Sequence, residues 1–239
     1  MNISDFYMTA PLYSPPFFEN REFGIFKNGQ VIRHLAFVNV EKLRAFLIEH
    51  HPDHVYFSSA KYEIPDWGDM VKKKTTWIGS DLVFDIDFDH LKKKTISEAK
   101  RQSLKLISIL RFDFGLQDLM LTFSGNRGYH VHCRDSCIQS LNNAARHEIA
   151  DYFKETYEPQ GKIKPNPNYV GIDAQVTADF TRLIRLPGSL HGGSGKMCEI
   201  IPLDSVTVPI APKMKTQQRG MARSGQIREI HSEGGIRLE

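Results

Sequence analysis

The amino-acid sequence predicts an α+β protein, in which short strands alternate with amphipathic helices. Three observations support this prediction. Residues 81–89 alternate apolar and acidic side chains with the period of a strand, residues 95–110 repeat apolar side chains with nearly the period of a helix, and residues 119–133 read as two strands joined by a glycine-containing turn. The 239 residues suffice for one larger domain or for two small intertwined units.

The acidic stretch 81–89 reads Asp-Leu-Val-Phe-Asp-Ile-Asp-Phe-Asp. Because successive side chains on a strand point to opposite faces, Asp85, Asp87 and Asp89 share one face and the bulky apolar residues share the other. Carboxylates about 7 Å apart along a strand repel one another unless a positive charge lies over them. A solvated acidic edge strand and a central strand whose carboxylates bind a divalent cation both fit, and the continuous apolar face favours the second.

Composition and net charge limit the classes of protein to which this chain can belong. The net charge of +3 does not indicate nucleic-acid binding by the whole surface, so any basic surface must be local. The three cysteines are too few for a disulfide framework and lack the spacing of a structural zinc site, which favours reduced thiols and a cytoplasmic location. No apolar run reaches membrane-spanning length, and the first residues lack the basic start of a signal peptide, so we expect no membrane association.

The first third of the chain contains recognisable turn and capping signals. Residues 1–30 are rich in aromatic residues and prolines, which predicts a segment that wraps a surface and packs its rings, and Asn28-Gly29 predicts a hairpin turn within it. Asn39 is the expected N-cap of a helix that ends before Pro52. A strand is expected over 54–58. Residues 66–76, which contain the run Lys72–Lys74, predict a loop, and a solvated lysine run is favoured over a phosphate contact.

The middle of the chain combines a capped helix with a turn of unusual composition. Thr95–Glu98 has the spacing of a capping box. The turn Ser124–Gly128 joins two predicted strands, and its glycines allow another molecule to approach the backbone closely. An arginine and a histidine beside such a turn, Arg127 and His130, suit phosphate binding. His130 and His132 share a strand face, which also fits two zinc ligands or two half-buried polar residues, and no third ligand for zinc is evident nearby.

The last third repeats the pattern of a carboxylate beside apolar residues. A helix is expected over 143–154 and a loop over 158–168. Residues 169–177 then predict a core strand with Asp173 alone on its polar face. A basic segment, 182–191, follows with a Pro-Gly turn, and the next glycines do not form a Walker A loop because Met197 follows Lys196. A last strand is expected within 198–210, and residues 213–239 are expected to form a flexible polar tail.

Together these motifs have the composition of a nucleotidyl-transfer site. Two divalent ions held by carboxylates clamp the attacking and leaving oxygens of an in-line phosphoryl displacement, and basic and hydroxyl side chains hold the triphosphate. The candidate carboxylates are Asp85, Asp87 and Asp173. The candidate partners of the triphosphate are Ser124, Arg127, His130, Arg182, Arg185, His191 and Lys196.

Three of these segments resemble the three motifs of the archaeo-eukaryotic primase family, most closely the small catalytic subunits of archaeal DNA primases. The segments are Phe84–Asp87, Ser124–His132, and Asp173 together with Arg182–Gly192. Arg21–Gly24 and the segment around Arg33 resemble the N-terminal part of the same proteins. The similarity covers roughly residues 5–205 in motif, order and spacing.

The resemblance implies a primase core with an N-terminal α/β unit, a C-terminal unit related to RNA-recognition modules, and an active site between them. We assign residues 1–212 to this core. The implied activity is template-directed synthesis of short RNA primers from nucleoside triphosphates during DNA replication, with DNA primers left open. The implied cofactor is Mg²⁺ or Mn²⁺ in a two-metal site. By resemblance, the catalytic and metal-binding residues are Asp85, Asp87 and Asp173, and the nucleotide-binding residues are Ser124, Arg127, His130, Arg182, Arg185 and His191. His132 is assigned to strand packing or to a supporting position behind the residues that contact the nucleotide.

The sequence departs from the family in ways that bear on cofactors and partners. Lys92–Lys94 runs directly into the helix without the cysteines of the family's zinc knuckle, so we predict no zinc. The helical insertion between the second and third motifs is reduced to the helix at 143–154 and a loop. Asn126 stands where some eukaryotic relatives have a second basic residue. The expected partners are a single-stranded DNA template and nucleoside triphosphates. Whether the chain also requires the family's large iron–sulfur subunit is left undecided.

Two alternative functions remain at this stage. One is a stand-alone primase-polymerase of the same superfamily, of the kind found in plasmid replication or break repair. The other is a non-catalytic nucleic-acid-binding module, which would stack bases on exposed aromatic residues. The acidic strand argues against the second alternative, because carboxylates without a metal repel phosphate.

Overall fold

The computed structural model describes residues 3–157, 161 and 163–205. Two antiparallel sheets and the helices packed on them make up most of this part of the chain. No helix among these residues is long and apolar enough to cross a membrane. The helices are α1 (Ile3–Thr9), α2 (Val40–His50), α3 (Met70–Thr75), α4 (Ile96–Phe112), α5 (Asn143–Tyr152) and α6 (Ala174–Ala178). The strands are β1 (Arg21–Lys27), β2 (Gln30–Leu35), β3 (His54–Tyr62), β4 (Trp77–Ser80), β5 (Leu82–Asp87), β6 (Leu119–Phe123), β7 (Gly128–Cys133), β8 (Thr156–Tyr157), β9 (Ile163–Lys164), β10 (Leu183–Arg185) and β11 (Glu199–Ile201).

The first sheet has the strand order β10-β3-β1-β2, with β4 also paired to β3. The predicted hairpin forms its outer part, because Asn28 and Gly29 both adopt positive φ angles, 50° and 79°, in the turn between β1 and β2. Asn39 caps α2 as predicted and accepts a hydrogen bond from the Lys42 amide at 2.9 Å. The N-terminal aromatic residues join the core beneath this sheet, where Tyr7 is fully buried.

The second sheet has the strand order β11-β6-β7-β5. Among the described strands, the acidic strand β5 pairs only with β7 and lies at the edge of the sheet, so the expectation of a central strand is wrong. Helix α4 begins at the predicted cap, where the Thr95 hydroxyl accepts a hydrogen bond from the Glu98 amide at 3.2 Å. The apolar faces of β5 and β7 pack with α4 and the end of α5 in one core that includes Phe84, Val131 and Phe153. Along the chain the order is β5, α4, β6, β7 and α5, and β11 joins the sheet only after β8, β9, α6 and β10.

The two sheets are joined by polar groups as well as by apolar packing. Arg21 on β1 forms a buried ion pair with Asp81, which immediately precedes β5, at 2.7 Å. Arg146 on α5 donates hydrogen bonds to the carbonyl oxygens of Ser80, the last residue of β4, at 2.8 Å and of Asp81 at 2.9 Å. His132 on β7 stacks on Phe57 of β3, with ring centroids 5.9 Å apart, which agrees with the packing role expected for it. Strand β10 then returns the chain to the first sheet beside β3, so residues distant in sequence meet between the sheets.

Two segments differ from the sequence predictions. Residues 169–177 form no long strand, because the Asp173 carboxylate caps α6 by accepting a hydrogen bond from the Gln175 amide at 2.9 Å. An aspartate with this local bond favours a helix start over strand pairing. Residues 70–75 form α3 rather than a loop, and Lys73 is buried with its Nζ 3.1 Å from a Glu22 carboxylate oxygen. The solvated-run interpretation is therefore wrong for Lys73.

Smaller differences concern the ends of elements. Strand β3 continues to Tyr62, beyond the predicted 54–58. Strand β5 ends at Asp87, because its carboxylate accepts a hydrogen bond from the Asp89 amide at 3.0 Å and starts a 3₁₀ turn at Phe88–His90. Asp89 therefore does not belong to the strand. The predicted last strand is present as β11, while the end of its predicted range, the boundary at 212 and the tail at 213–239 lie outside the described residues.

Candidate active site

A cavity of about 250 Å³ lies where the two sheets meet. Strands β3 and β10 of the first sheet supply one wall, and β5, β7 and the turn between β6 and β7 supply the other. Asp173 and Lys196 do not line it. Eight of the ten candidate residues named from the sequence do line it: Asp85, Asp87, Ser124, Arg127, His130, Arg182, Arg185 and His191.

The acidic wall is built on β5. Asp85 pairs across the ladder with His130 on β7, and its carboxylate lies 3.7 Å from the His130 Nε2. Burial, together with the neighbouring charges of Asp87 and Asp173, raises the pKa of Asp85 to about 7. Although Asp173 is not on a strand and does not line the cavity, its amide donates to the Asp85 carbonyl oxygen at 2.8 Å. The three predicted carboxylates are therefore neighbours that repel one another.

The donor chemistry of these carboxylates fits a divalent cation, since mutually repelling carboxylates with a raised pKa are stabilised by a hard positive ion. Their arrangement does not yet form a coordination sphere. Within the described part of the chain, no three His, Cys, Asp or Glu side chains are arranged to hold a metal ion. Asp87 and Asp173 each use a carboxylate oxygen to accept a hydrogen bond from the backbone two residues later.

The basic wall centres on Arg185, the last residue of β10. Its side chain is only 9% exposed, and its guanidinium lies 5.0 Å from the centre of the Tyr56 ring. It donates a hydrogen bond to the Nδ1 of His54 at 2.9 Å. No carboxylate among the described residues forms an ion pair with it. A buried guanidinium whose charge is not cancelled by a carboxylate is a strong site for an anion such as phosphate.

Two further arginines lie at the rim, and both are paired with acids. Arg127 contacts Asp89 at 2.6 Å and Asp87 at 3.6 Å. Arg182 contacts Asp179 at 3.3 Å. About half of each arginine side chain is exposed, so these pairs contribute little to stability and exchange readily for another anion.

The turn between β6 and β7 is tight, as the sequence predicts. The Ser124 amide donates to the Gly128 carbonyl oxygen at 3.0 Å, and the Gly128 amide donates to the Ser124 hydroxyl at 3.2 Å. Gly125 has a φ of 86°. At Gly128 an added Cβ would lie 2.5 Å from the Ile86 carbonyl oxygen, so only glycine permits this approach of β7 to β5.

The histidines of the cavity are neutral. Burial lowers the pKa of His130 to about 3, and its Nδ1 has no hydrogen-bond partner within the described residues. Burial and the nearby Arg185 also lower the pKa of His191. The Nδ1 of His191 accepts a hydrogen bond from the Ser194 amide at 3.1 Å, which leaves the proton on Nε2. His191 is therefore a neutral donor.

Sequence reasoning missed several residues of the first-sheet wall. Tyr56 on β3 and Leu183 and Ile184 on β10 line the cavity, as does Val176 on α6. The alternation in the predicted strand 54–58 does separate Tyr56 from the apolar residues on either side. The alternation does not show that the Tyr56 side of the strand contacts Arg185. That contact depends on the pairing of β3 with β10, in which Tyr56 lies opposite Arg185.

The fold and the two-sided cavity together define a class of protein. The polymerase domain of Mycobacterium tuberculosis ligase D, solved in complex with DNA, is similar in fold, with a TM-score of 0.51 and 12% sequence identity over 84% of this chain and 79% of that domain. The two chains therefore share a fold, which in this protein is an α+β core with the cavity between its two sheets.

The sequence comparisons assign the family within that class. The DNA primase small subunit family matches residues 84–202. The DNA primase small subunit PriS of Archaeoglobus fulgidus is 34% identical over 84% of this chain and 79% of its own length, and that of Saccharolobus solfataricus is 35% identical over 83% and 74%. The chain belongs to the DNA primase small subunit family.

Proposed function

We propose that this chain is the catalytic subunit of a DNA primase, which joins nucleoside triphosphates into short primers on a single-stranded DNA template. The observation that best supports the proposal is the opposition of charge across one cavity. Asp85 and Asp87 occupy the wall from the second sheet. Arg185, which is buried and has no carboxylate partner among the residues that the structure describes, occupies the wall from the first. A nucleotidyl-transfer site needs both sides, because the triphosphate is anionic and its reacting phosphate needs added positive charge.

In this proposal Asp85, Asp87 and Asp173 would hold Mg²⁺ or Mn²⁺. When bound, these ions would polarise the α-phosphate and stabilise the attacking and leaving oxygens. The raised pKa of Asp85 supports this role, because it shows that the ionised carboxylate is disfavoured without a nearby positive charge. A bound cation would supply that charge.

The remaining residues bind and orient the triphosphate in the proposal. Arg185 presents two N–H groups in a fixed fork that matches phosphate oxygens. His191 donates from Nε2, since its Nδ1 is occupied by the Ser194 amide. The turn that contains Ser124 brings backbone and hydroxyl donors to the same side. Arg127 and Arg182 exchange their carboxylate partners for phosphate at the rim.

The test is incorporation of labelled nucleotides on single-stranded DNA by Asp85→Ala and Asp87→Ala variants. Incorporation should fall to background while the thermal unfolding transition stays cooperative. Asp151→Ala is the matched control, because its carboxylate is 56% exposed on α5, away from the cavity. If either cavity variant incorporated nucleotides at the rate of the control, the proposed mechanism would be wrong.

The same incorporation assay tests whether the protein prefers ribo- or deoxyribonucleotides and whether it depends on a partner subunit. We propose RNA primers as the principal product, and parallel reactions with ribo- and deoxyribonucleotides test this. Adding a candidate large iron–sulfur subunit separates a two-subunit primase from a stand-alone primase-polymerase. Efficient initiation on bare template by this chain alone would favour the stand-alone type.

A further inference from the structure

We infer that His54 is a positioning residue of this site, which fixes the Arg185 guanidinium and the Gly192 backbone so that both face the triphosphate. The inference rests on the function proposed above. His54 is the first residue of β3, and it lies 131 residues from Arg185 and 138 from Gly192 along the chain. It belongs to none of the three motifs.

The contacts of His54 determine its protonation state. Its Nδ1 accepts hydrogen bonds from the Arg185 guanidinium at 2.9 Å and from the Gly192 amide at 3.2 Å. An arginine in a protein always retains its protons, so the Nδ1 must present its lone pair and the ring proton must lie on Nε2. Burial, Arg185 and His191 lower the pKa of His54 to about 4, in agreement with a neutral ring at physiological pH.

A neutral acceptor at this place serves phosphate binding better than a carboxylate would. Arg185 is held by the imidazole and by the Tyr56 ring, and its second nitrogen donates to the Tyr56 hydroxyl at 3.4 Å. None of these partners carries a negative charge. The guanidinium is therefore fixed in direction while its full positive charge remains available to an anion. An aspartate at position 54 would fix Arg185 equally well but would cancel that charge.

The same imidazole contacts the loop that presents His191. The Gly192 amide also donates to the Asp53 carbonyl oxygen at 2.8 Å, and a Cβ at Gly192 would lie 2.9 Å from Asp53 atoms. The loop thus packs directly on the start of β3. The rings of His54 and His191 are 4.7 Å apart between centroids, with an interplanar angle of 62°. One side chain therefore links β3, β10 and this loop.

The inference predicts a specific order among three variants. In His54→Asn the side-chain oxygen replaces the Nδ1 acceptor, so the KM for the nucleoside triphosphate should stay within about threefold of wild type. His54→Leu keeps the bulk and leaves the donors unpaired, which corresponds to roughly a tenfold or larger rise in KM with a smaller change in kcat. His54→Asp keeps an acceptor but adds a charge, so its KM should rise as much as that of His54→Leu.

The assay uses a primed template at saturating concentration, so that only the triphosphate is varied. His50→Leu on α2 is the matched control, since His50 stacks on Phe46 away from the cavity, and its KM should equal that of wild type. Equal KM values for His54→Asn and His54→Leu, or a wild-type KM for His54→Asp, would overturn the inference. If His54→Leu fails to fold, the comparison of His54→Asn with His54→Asp decides the question.

Binding of inorganic tripolyphosphate, measured by calorimetry, separates this inference from the proposed function. In one outcome the wild-type protein binds tripolyphosphate but never incorporates nucleotides, and His54→Leu and His54→Asp bind tripolyphosphate at least about tenfold more weakly than the wild type. The proposed function then fails and the positioning role stands. Should the wild-type protein incorporate nucleotides while His54→Leu retains wild-type KM and tripolyphosphate affinity, the positioning role fails and the function stands.

Discussion

Replacing Asp85 with asparagine should stabilise the metal-free protein at neutral and higher pH while abolishing nucleotide incorporation. The substitution keeps the size and shape of the side chain and removes its charge. In the folded protein that charge is costly, because the carboxylate is only 27% exposed and has Asp87 and Asp173 as neighbours. A residue that destabilises the empty protein is expected where its charge serves a ligand.

The size and sign of the effect follow from the pKa of Asp85, which rises from 3.8 to about 7 on folding. Because one pKa unit is worth about 1.4 kcal/mol, the ceiling on the cost is about 4 kcal/mol. Solvent reaching the carboxylate and local relaxation reduce this, so we expect about 1–2 kcal/mol. Below pH 4 the group is protonated in both the folded and unfolded states and costs nothing. The cost grows as the pH rises from 4 to 7 and is complete above pH 7.

The assay is urea or thermal unfolding in the presence of a chelator, at pH 4.5 and at pH 8. Asp85→Asn should raise the midpoint of thermal unfolding by roughly 3–8 °C at pH 8 and by much less at pH 4.5. Asp151→Asn, on an exposed ion pair, should change stability by less than about 0.5 kcal/mol at either pH. Adding Mg²⁺ at pH 8 should stabilise the wild-type protein and leave Asp85→Asn largely unchanged. A variant less stable than wild type at pH 8 would show that Asp85 is not an electrostatic burden, and the reasoning about the cavity would be refuted.

Three other substitutions test the packing of the structure, with stability as the measurement. Arg21→Met removes the ion-pair partner of the buried Asp81 carboxylate and should lower the free energy of unfolding in urea by about 3–5 kcal/mol. Adding Asp81→Asn should restore part of this loss in the double variant. If the effects of the two substitutions on the free energy of unfolding simply added, the buried ion pair would be contradicted. Gly128→Ala places a Cβ 2.5 Å from a carbonyl oxygen of β5 and should lower the free energy of unfolding by at least about 1–3 kcal/mol. A variant as stable as the wild type would show that β5 and β7 can separate at this position. Lys73→Met removes a fully buried cation from Glu22, which keeps its ion pair with Arg33, so the loss should be about 1–3 kcal/mol. Lys72→Met on the same helix, where 66% of the Lys72 side chain is exposed, should change stability by less than about 0.5 kcal/mol. Equal effects of the two substitutions would contradict the burial of Lys73.

The predictions that the structure confirms concern features encoded within a few residues. Asn39 and Thr95 cap their helices because a side-chain oxygen and an amide three positions later are adjacent by local geometry alone. The Asn28-Gly29 hairpin follows from the positive φ angles that those residues tolerate. The faces of β5 and β7 follow from the period of a strand. Sequence also identified most of the residues that line the cavity, because their chemical types and spacing form recognisable motifs.

Two of the predictions that failed differ in cause, one because the decisive partner lies far away in the chain and the other because a local hydrogen bond was not foreseen. A lysine in a polar run is normally solvated, and Lys73 is buried only because Glu22, on another element, supplies its counter-charge. The alternating residues around Asp173 fit a strand as well as a helix start, and the local hydrogen bond of its carboxylate decided between them.

The sequence by itself determined the capped helices α2 and α4, the Asn28-Gly29 hairpin and the strands β5 and β7. It also determined that carboxylates, arginines, histidines and a glycine turn suited to nucleotidyl transfer are present in one chain. Only the tertiary structure decided that β10 pairs with β3, and therefore that Arg185 lies against Tyr56 and His54. The physical reason is that strand pairing joins backbone groups that are chemically alike in every residue, so the choice of partner and register depends on the packing of both sheets together.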